Sequence, residues 1–389
     1  MDAGRHVDVA IVGAGPAGSR AAWRLARAGA RIAWFDGSFP REKPCGGGVT
    51  GRALDLVRDA IDPAGLDAVA IDEVAFARRD QIVTVPLGSR LSTPPLLTVT
   101  SRRAFDEALV DAAVAAGVPL IPSRVRHISA HARGWELEAG GATWTAHWLL
   151  GADGANSFVR RLVHTPFARE DLSIATGFFV HGCTGSSISI AFEDEPAGYL
   201  WSFPRPDHMA VGVCAQADRS TSAMLLAIAS RWIEAHLPAG ARLERYSWPI
   251  PSLGVAALAR EPPAGSGWML LGDAGGMVDP ITREGIYFAL ASGDAAADSL
   301  VAGDRAAHAY ARRIRDGVHS ELRRAAVFKE RFFDPRFTDL LMHALGASAP
   351  IREVMIDLIG GIQPYRGLRR RLLRTWELRL ALRVLRRLF

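Results

Sequence analysis

Four groups of residues in this 389-residue chain carry chemistry by type and spacing. Cys45 precedes three consecutive glycines, Gly46, Gly47 and Gly48, in a stretch that also holds Pro40 and Pro44. Two prolines and a glycine run exclude helix and strand alike, so this is a loop. Three adjacent glycines lose much entropy on ordering, which a folded chain tolerates where backbone must lie flat against something, such as a planar ring system. A single thiol there is either a catalytic or ring-contacting group or merely a small loop residue. Tyr199, Trp201 and Phe203 form the second group, sharing one face of a predicted strand while Leu200 and Ser202 point the other way. Such a face is most often core, and it equally walls an apolar ligand slot. The third group is Gly13, Gly15 and Gly18, a G-x-G-x-x-G turn, with Asp36 23 positions after its first glycine. The fourth is a second glycine turn with an acid, Gly272-Asp273-Ala274-Gly275-Gly276.

The elements around these groups give them direction. Val7–Val12 reads as a buried strand that enters the first glycine turn. A helix follows and stops at Gly29, and a second strand, Arg31–Phe35, ends on Asp36. Gly13 permits the tight turn, Gly15 lets backbone approach a pyrophosphate, and Gly18 lets helix pack on strand. Free N–H groups at the helix start suit phosphate, and Asp36 suits a ribose hydroxyl. Dinucleotide binding is the expectation; a packing-only βαβ unit is the alternative. Trp268–Leu271, the second glycine turn and a helix from about Glu284–Ile286 towards Leu300 repeat the same logic. Two such corners on one chain suit a ligand much longer than a mononucleotide.

Between them, Val69–Val99 alternates short apolar runs with Gly88 and prolines, which predicts edge-type strands and turns. Ser101–Ala116 predicts a helix with Phe105, Leu109, Ala112 and Ala113 on one side. Gly117–Ile121 and Trp135–Leu150 read as strands, Val159–Leu162 as a short helical turn, and Ile174–Val213 as β-structure. Ser222–His236 reads as a helix, Pro249–Pro263 as irregular, and Arg305 onward as helical.

Composition is that of a large globular chain, 49% hydrophobic and 22% charged. The net charge is +5, but Tyr365–Phe389 holds nine arginines and one glutamate, a net of +8. The first 364 residues therefore carry 5 − 8 = −3, which gives nucleic-acid binding little support. Three cysteines with no C-x-x-C pair predict a reducing compartment and no structural zinc. The first turn starts too near Met1 to leave room for a signal peptide, and no apolar run approaches ~18 residues, so no spanning helix is expected.

Taken together, these motifs resemble flavoproteins of the para-hydroxybenzoate hydroxylase type, and more narrowly the geranylgeranyl reductases. The first glycine turn with Asp36 resembles that family's ADP-binding turn, and Arg102-Arg103-Ala104-Phe105-Asp106 its R-x-x-F-D helix start. Ala152-Asp153-Gly154 with Ser157 and Arg160 resembles its DG motif, and Gly272-Asp273 its second FAD motif. Pro44–Gly48 resembles the P-C-G-G-G loop, and Pro196–Pro204 the P-x-x-Y-x-W-x-F-P substrate motif. Arg283 departs from the family's usual glycine, and no counterpart exists for the disulfide-forming pair of some members.

The resemblance implies an α/β fold: a Rossmann-like FAD-binding domain (1–68, 101–165 and 266–303), an interleaved antiparallel β-sheet substrate domain (69–100 and 166–265), and a C-terminal helical region with a basic tail (304–389). It implies FAD contacts at Gly13, Gly15, Ala17, Gly18, Asp36, Arg41, Cys45, Gly46, Gly47, Gly48, Arg102, Asp153, Gly272, Asp273, Gly285 and Ile286. It implies Cys45, Tyr199 and Trp201 as catalytic, and Tyr199, Trp201 and Phe203 as substrate-lining. No metal site is implied. The implied reaction saturates isolated C=C bonds in a prenyl lipid or diphosphate, with NAD(P)H or a reduced ferredoxin-like carrier as electron donor. Rival readings are a monooxygenase or halogenase on the same fold and a flavin-holding redox sensor. The tail stripe Leu368, Leu372, Trp376, Leu380, Val384 and Leu388 reads either as a docking helix or as attachment to an anionic membrane surface. A cytoplasmic protein, peripheral on the inner membrane face, is the corresponding expectation.

Overall fold

A computed structural model describes residues 5–87, 96–303, 305–375, 377 and 383. Its first sheet runs in the order Ala264–Gly265, Trp268–Leu270, Ala142–Gly151, Arg5–Val12, Ile32–Phe35, Leu120–Ile121. Arg5–Val12 pairs in parallel with strands on both edges, and both its faces are packed, Val9 and Ile11 in one core cluster and Ala10 and Val12 in another, as its apolar run requires. His127–His131 and Gly134–Ala139 extend this sheet as an antiparallel meander with Ala142–Gly151.

Pro16–Arg27 begins with proline and has no side-chain cap at Gly15. Ser101 caps the Arg102–Ala115 helix by accepting from the Ala104 amide at 2.9 Å, and Gly117 beyond it has a φ of 97°. Ile286–Val301 follows the second glycine turn.

The second sheet has the order Leu243–Pro251, Leu172–His181, His208–Gln216, Ala197–Pro204, Ser187–Asp194, Glu73–Arg78, Gln81–Pro86. It is antiparallel except where Ser187–Asp194 meets Glu73–Arg78 in parallel. One face packs Leu200 and Val213 under the Ser222–His236 helix. Its other face packs Phe76, Ile188 and Phe192 against the C-terminal helices Ser320–Phe332, Pro335–Ala347 and Ala349–Ile359. A small third sheet joins Gly48–Thr50, Leu97–Thr100 and Ala68–Ala70.

The stretch Pro249–Pro263 is more ordered than expected. Its prolines close a strand, Leu243–Pro251, and a helix follows at Val255–Arg260. The strand lies at the sheet edge, where a proline's missing N–H removes no ladder bond. Gly88, Pro94 and Pro95 lie outside the described residues. In the tail, Leu368 and Leu372 sit on a helix, Leu368–Leu373, and are buried in the core shared with the second sheet. That part of the stripe docks; Trp376, Leu380, Val384 and Leu388 lie outside the described residues. No described helix is long and apolar enough to cross a membrane.

Candidate functional site

At the first glycine corner, Gly13 has a φ of 108°, and a Cβ there would overlap the Ala152 carbonyl oxygen. A Cβ on Gly18 would overlap the Gly13 carbonyl, so helix and strand touch through hydrogen. Gly15 differs: its nearest neighbour is the tip of Arg41 at 3.9 Å, and the space above it is open. Asp36 accepts from the Ala14 amide at 2.9 Å and from the Ser38 amide and hydroxyl at 2.8 and 2.7 Å, with Arg41 at 3.3 Å. Burial alone would raise its pKa; the Ser38 bond, the Arg41 charge and the Ala14 amide outweigh it and hold the carboxyl below the usual range.

A cleft with about 1370 Å³ of empty space runs from this corner past Gly13, Gly15, Ala17, Asp36, Arg41, Asp153, Gly272 and Asp273. The Asp153 carboxylate, on the cleft wall, is engaged by its own segment. It accepts from Ser157 Oγ (2.5 Å) and the Phe158 and Val159 amides, capping the Phe158–Val163 helix, and burial raises its pKa. Arg160 ties the same segment to the second glycine turn through Glu261 (2.6 Å) and the Ala274 carbonyl (3.2 Å).

Asp273 is partly buried and receives Lys43 Nζ at 2.8 Å. Burial pushes its pKa up, and the Lys43 charge and bond, with help from Arg102, push it further down than that. Arg102 is buried and forked onto Asp106 at 3.0 and 2.8 Å. Gly285 stands beside Asp273: a Cβ there would lie 3.3 Å from Oδ1. Ile286 begins the helix that follows.

The cleft continues into a second cavity, for Pro16, Lys43, Arg102, Trp248, Asp273 and Ala289 line both. This second cavity, about 1610 Å³ counting the open solvent at its mouth, is lined mainly by apolar surface. Cys45, Gly46, Gly47 and Gly48 form part of its wall, with Tyr199, Trp201 and Phe203 beside them. The glycine run has a specific cause. A Cβ on Gly46 would lie 2.9 Å from the Phe203 ring, one on Gly48 3.1 Å from it, and one on Gly47 would overlap the Thr100 carbonyl. On the side where a Cβ would point, the loop lies against this chain's own Phe203 and the Thr100 carbonyl. Cys45 Sγ is half-buried and accepts from the Gly47 amide at 3.3 Å.

The Tyr199 hydroxyl donates a hydrogen bond to the Thr282 carbonyl at 3.1 Å, and its ring stacks on Phe333, centroids 6.2 Å apart. Burial, then the nearby Cys214, push its pKa up, so the phenol stays protonated. Arg283 adopts a left-handed φ of 61°, donates to Ser252 Oγ at 2.5 Å and to the Pro280 carbonyl, and lines the slot.

The far wall belongs to residues that sequence reasoning did not select: Phe332, Leu341, Leu345, Met355, Leu358 and Ile359. Leu341/Leu345 and Met355/Leu358/Ile359 have helical i, i+3/i+4 spacing, a signal indistinguishable from ordinary core. Lys43, which no motif singles out, is the partner of the partly buried Asp273.

FAD fits these residues. The open space over Gly15 suits a pyrophosphate at an uncapped helix start, and the anionic Asp36 lies at one end of the cleft. Trp248 Nε1, buried on the wall common to both cavities, has no hydrogen-bond partner among the described residues. The chain is an FAD-binding oxidoreductase: it belongs to the FAD binding domain family, whose match spans residues 6–234. It is 28% identical over 408 residues to digeranylgeranylglycerophospholipid reductase of Methanothrix thermoacetophila, covering 96% of this chain and 98% of that one. It is 29% identical over 325 residues to menaquinone reductase of Mycolicibacterium smegmatis, covering 77% of each. Among solved structures, a geranylgeranyl bacteriochlorophyll reductase-like protein from Thermoplasma acidophilum superposes with a TM-score of 0.78 at 22% identity, over 95% of this chain and 99% of that one. A flavin-dependent brominase does so with 0.69 at 22% identity, over 92% and 94%. These two likenesses establish the fold.

Proposed function

We propose that this chain is an FAD-dependent reductase that saturates isolated C=C bonds of a prenyl chain. One observation carries the proposal: an apolar slot walled by Tyr199, Trp201 and Phe203 on one side and by Leu341, Leu345, Met355 and Leu358 on the other runs directly into the cofactor cleft. A slot of that kind accepts a long hydrocarbon and excludes water. The relatives named for a digeranylgeranyl lipid and for menaquinone support the same substrate class. The division into FAD-binding parts (1–68, 101–165, 266–303), a substrate part (69–100, 166–265) and a helical part (304–389) belongs to the proposal.

When bound and reduced, FAD supplies the hydride. The chain's residues do the rest. Gly15 and Ala17 would bear the pyrophosphate on a turn shaped by Gly13 and Gly18, Asp36 and Arg41 would hold the adenosine side, and Gly272, Asp273, Gly285 and Ile286 the far end. Arg102 is held rigid by Asp106. An isolated alkene has no carbonyl to polarise, so a proton must arrive with the hydride; one C–H bond forms at each carbon as the π bond is lost. Cys45 Sγ holds that proton, since the Tyr199 hydroxyl already donates its hydrogen bond to the Thr282 carbonyl. Trp201 and Tyr199 face the cation character that develops at the branched carbon. NAD(P)H or a reduced ferredoxin-like carrier restores the reductant. The basic C-terminal segment holds the protein against an anionic membrane surface.

The deciding experiment is anaerobic turnover of a geranylgeranyl lipid with dithionite-reduced protein, followed by mass spectrometry. Products heavier by pairs of hydrogens are expected. Product formation that requires oxygen would instead establish the monooxygenase or halogenase reading, and a flavin that never reoxidises with any alkene would favour a sensor.

A further inference from the structure

Arg205 stands just beyond the aromatic strand and is wholly buried, a rare place for arginine. Its guanidinium serves three separate parts of the chain. Nη2 donates to the carbonyl oxygen of Cys45 at 2.6 Å. Nη1 donates to Glu42 Oε1 at 2.5 Å and to His208 Nε2 at 3.2 Å. The cation also lies over the Phe179 ring, 4.9 Å from its centroid. Glu42 in turn accepts from the amides of Arg102 and Arg103, each at 3.0 Å, at the start of the Arg102–Ala115 helix. On the other side, His208 Nδ1 meets Asp207 Oδ1 at 2.6 Å.

We propose that Arg205 is a positioning residue, which fixes the Cys45–Gly48 loop against the cofactor cleft by holding the Cys45 carbonyl and the Glu42 carboxylate at once. A loop with three glycines has a large entropy to lose and few side chains with which to offset it. Apart from Arg205, its backbone is held by the Thr100 amide on the Gly47 carbonyl at 3.0 Å, by the Gly47 amide on Cys45 Sγ at 3.3 Å, and at its far end by the pairing of Gly48 with Val99. A planar fork reaches both acceptors from one buried site; the point charge of a lysine reaches one. The same fork joins the loop to the Ala197–Pro204 strand, so the thiol and the aromatic face keep a fixed relation.

The arrangement requires a neutral His208. Arg205 donates to Nε2, so that nitrogen carries no proton and Nδ1 gives its own to Asp207. The charged and titratable groups facing the ring are Arg205, Asp207, Glu42 from the loop, and His181 from the Leu172–His181 strand at 5.5 Å. Burial, then Arg205, push the His208 pKa down; Asp207 and Glu42 oppose them without prevailing. Protonation sets an N–H and a positive charge against Arg205, so acid loosens the loop.

The inference rests on the cofactor cleft being where the function places it, but its test needs no turnover. Cys45 is the half-exposed cysteine, while Cys183 and Cys214 are buried, so iodoacetamide reads the loop selectively. In the holoprotein, Arg205→Met is expected to raise both Cys45 alkylation and amide exchange of residues 41–48 at least tenfold. Exchange in the Leu172–His181 and His208–Gln216 strands is expected to stay at the wild-type rate. Arg205→Lys should fall between the two. His208→Gln, which keeps an acceptor without a titrating proton, should abolish the extra loop exchange seen below pH 6.5 once intrinsic pH dependence is removed. Wild-type loop exchange in Arg205→Met overturns the proposal. A uniform rise across the sheet in both arginine variants does so too, since the arginine would then serve the sheet alone. If Arg205→Met does not fold, wild-type loop behaviour in Arg205→Lys decides against it. Colourless protein with an intact clamp would sink the reductase reading and leave this one standing.

Discussion

Lys43 and Asp273 show how much a single contact decides at the residue scale. A largely desolvated carboxylate without its cation is costly, and Lys43 Nζ at 2.8 Å, with help from Arg102, is what keeps Asp273 ionised beside the second glycine turn. Lys43→Ala is expected to lower stability by about 2 kcal/mol and to weaken FAD binding at least tenfold, measured by urea unfolding and flavin fluorescence titration. Tyr199 and Cys45 are separated by the same kind of argument. Tyr199→Phe loses one hydrogen bond, of about 1 kcal/mol, and should leave turnover within about fivefold because that proton was never on offer. Cys45→Ala should lower turnover by about a hundredfold, the usual scale for removing a general acid, while FAD stays bound. Equal losses in the two variants would assign the proton elsewhere.

At the scale of elements, the slot depends on helices that sit far along the chain from the glycine turns. Pro335–Ala347 and Ala349–Ile359 deliver Leu341, Leu345, Met355 and Leu358 to a cavity whose other wall is the aromatic strand. Leu345→Trp puts an indole into that space. Prenyl binding should weaken at least tenfold while the flavin spectrum and FAD affinity are unchanged, read by titration with a geranylgeranyl lipid. Unaltered lipid affinity would show that the chain lies elsewhere. The edge strand Leu243–Pro251 teaches a related point: its prolines argue for irregularity until its neighbours are known, and only an edge position accommodates them.

At the scale of the whole molecule, acid and charge act through groups far from the cleft. His319 is buried, its Nε2 has no partner among the described residues, and burial pushes its pKa down from 6.5 to about 4. Its folded pKa is the lower one, so the unfolded chain takes up a proton first as pH falls. Its contribution is complete above pH 6.5 and is lost between 6.5 and about 4, amounting to about 3 kcal/mol. Urea midpoints should fall across that window, and His319→Leu should flatten the fall. The basic segment is tested by charge and not by truncation, because Leu368 and Leu372 belong to the core. Replacing the exposed Arg366, Arg370 and Arg374 with glutamine should lower binding to anionic liposomes in low salt and leave FAD occupancy intact. Undiminished liposome binding would remove membrane attachment from the picture.

Local order and backbone geometry were legible in the chain itself. Gly13, Gly15 and Gly18 act through the absence of a Cβ, and the strand–turn–helix around them follows from periodicity, so this corner could be read without neighbours. The alternation that separates Tyr199, Trp201 and Phe203 from Leu200 is likewise a property of a strand taken alone. What those aromatics face, why Gly46 and Gly48 must be glycine, and which acid Lys43 answers are settled by contacts between segments distant in sequence. So is the burial of Arg205, which reads in the sequence as one arginine among many. Spacing encodes the shape of an element, and only packing decides which elements meet.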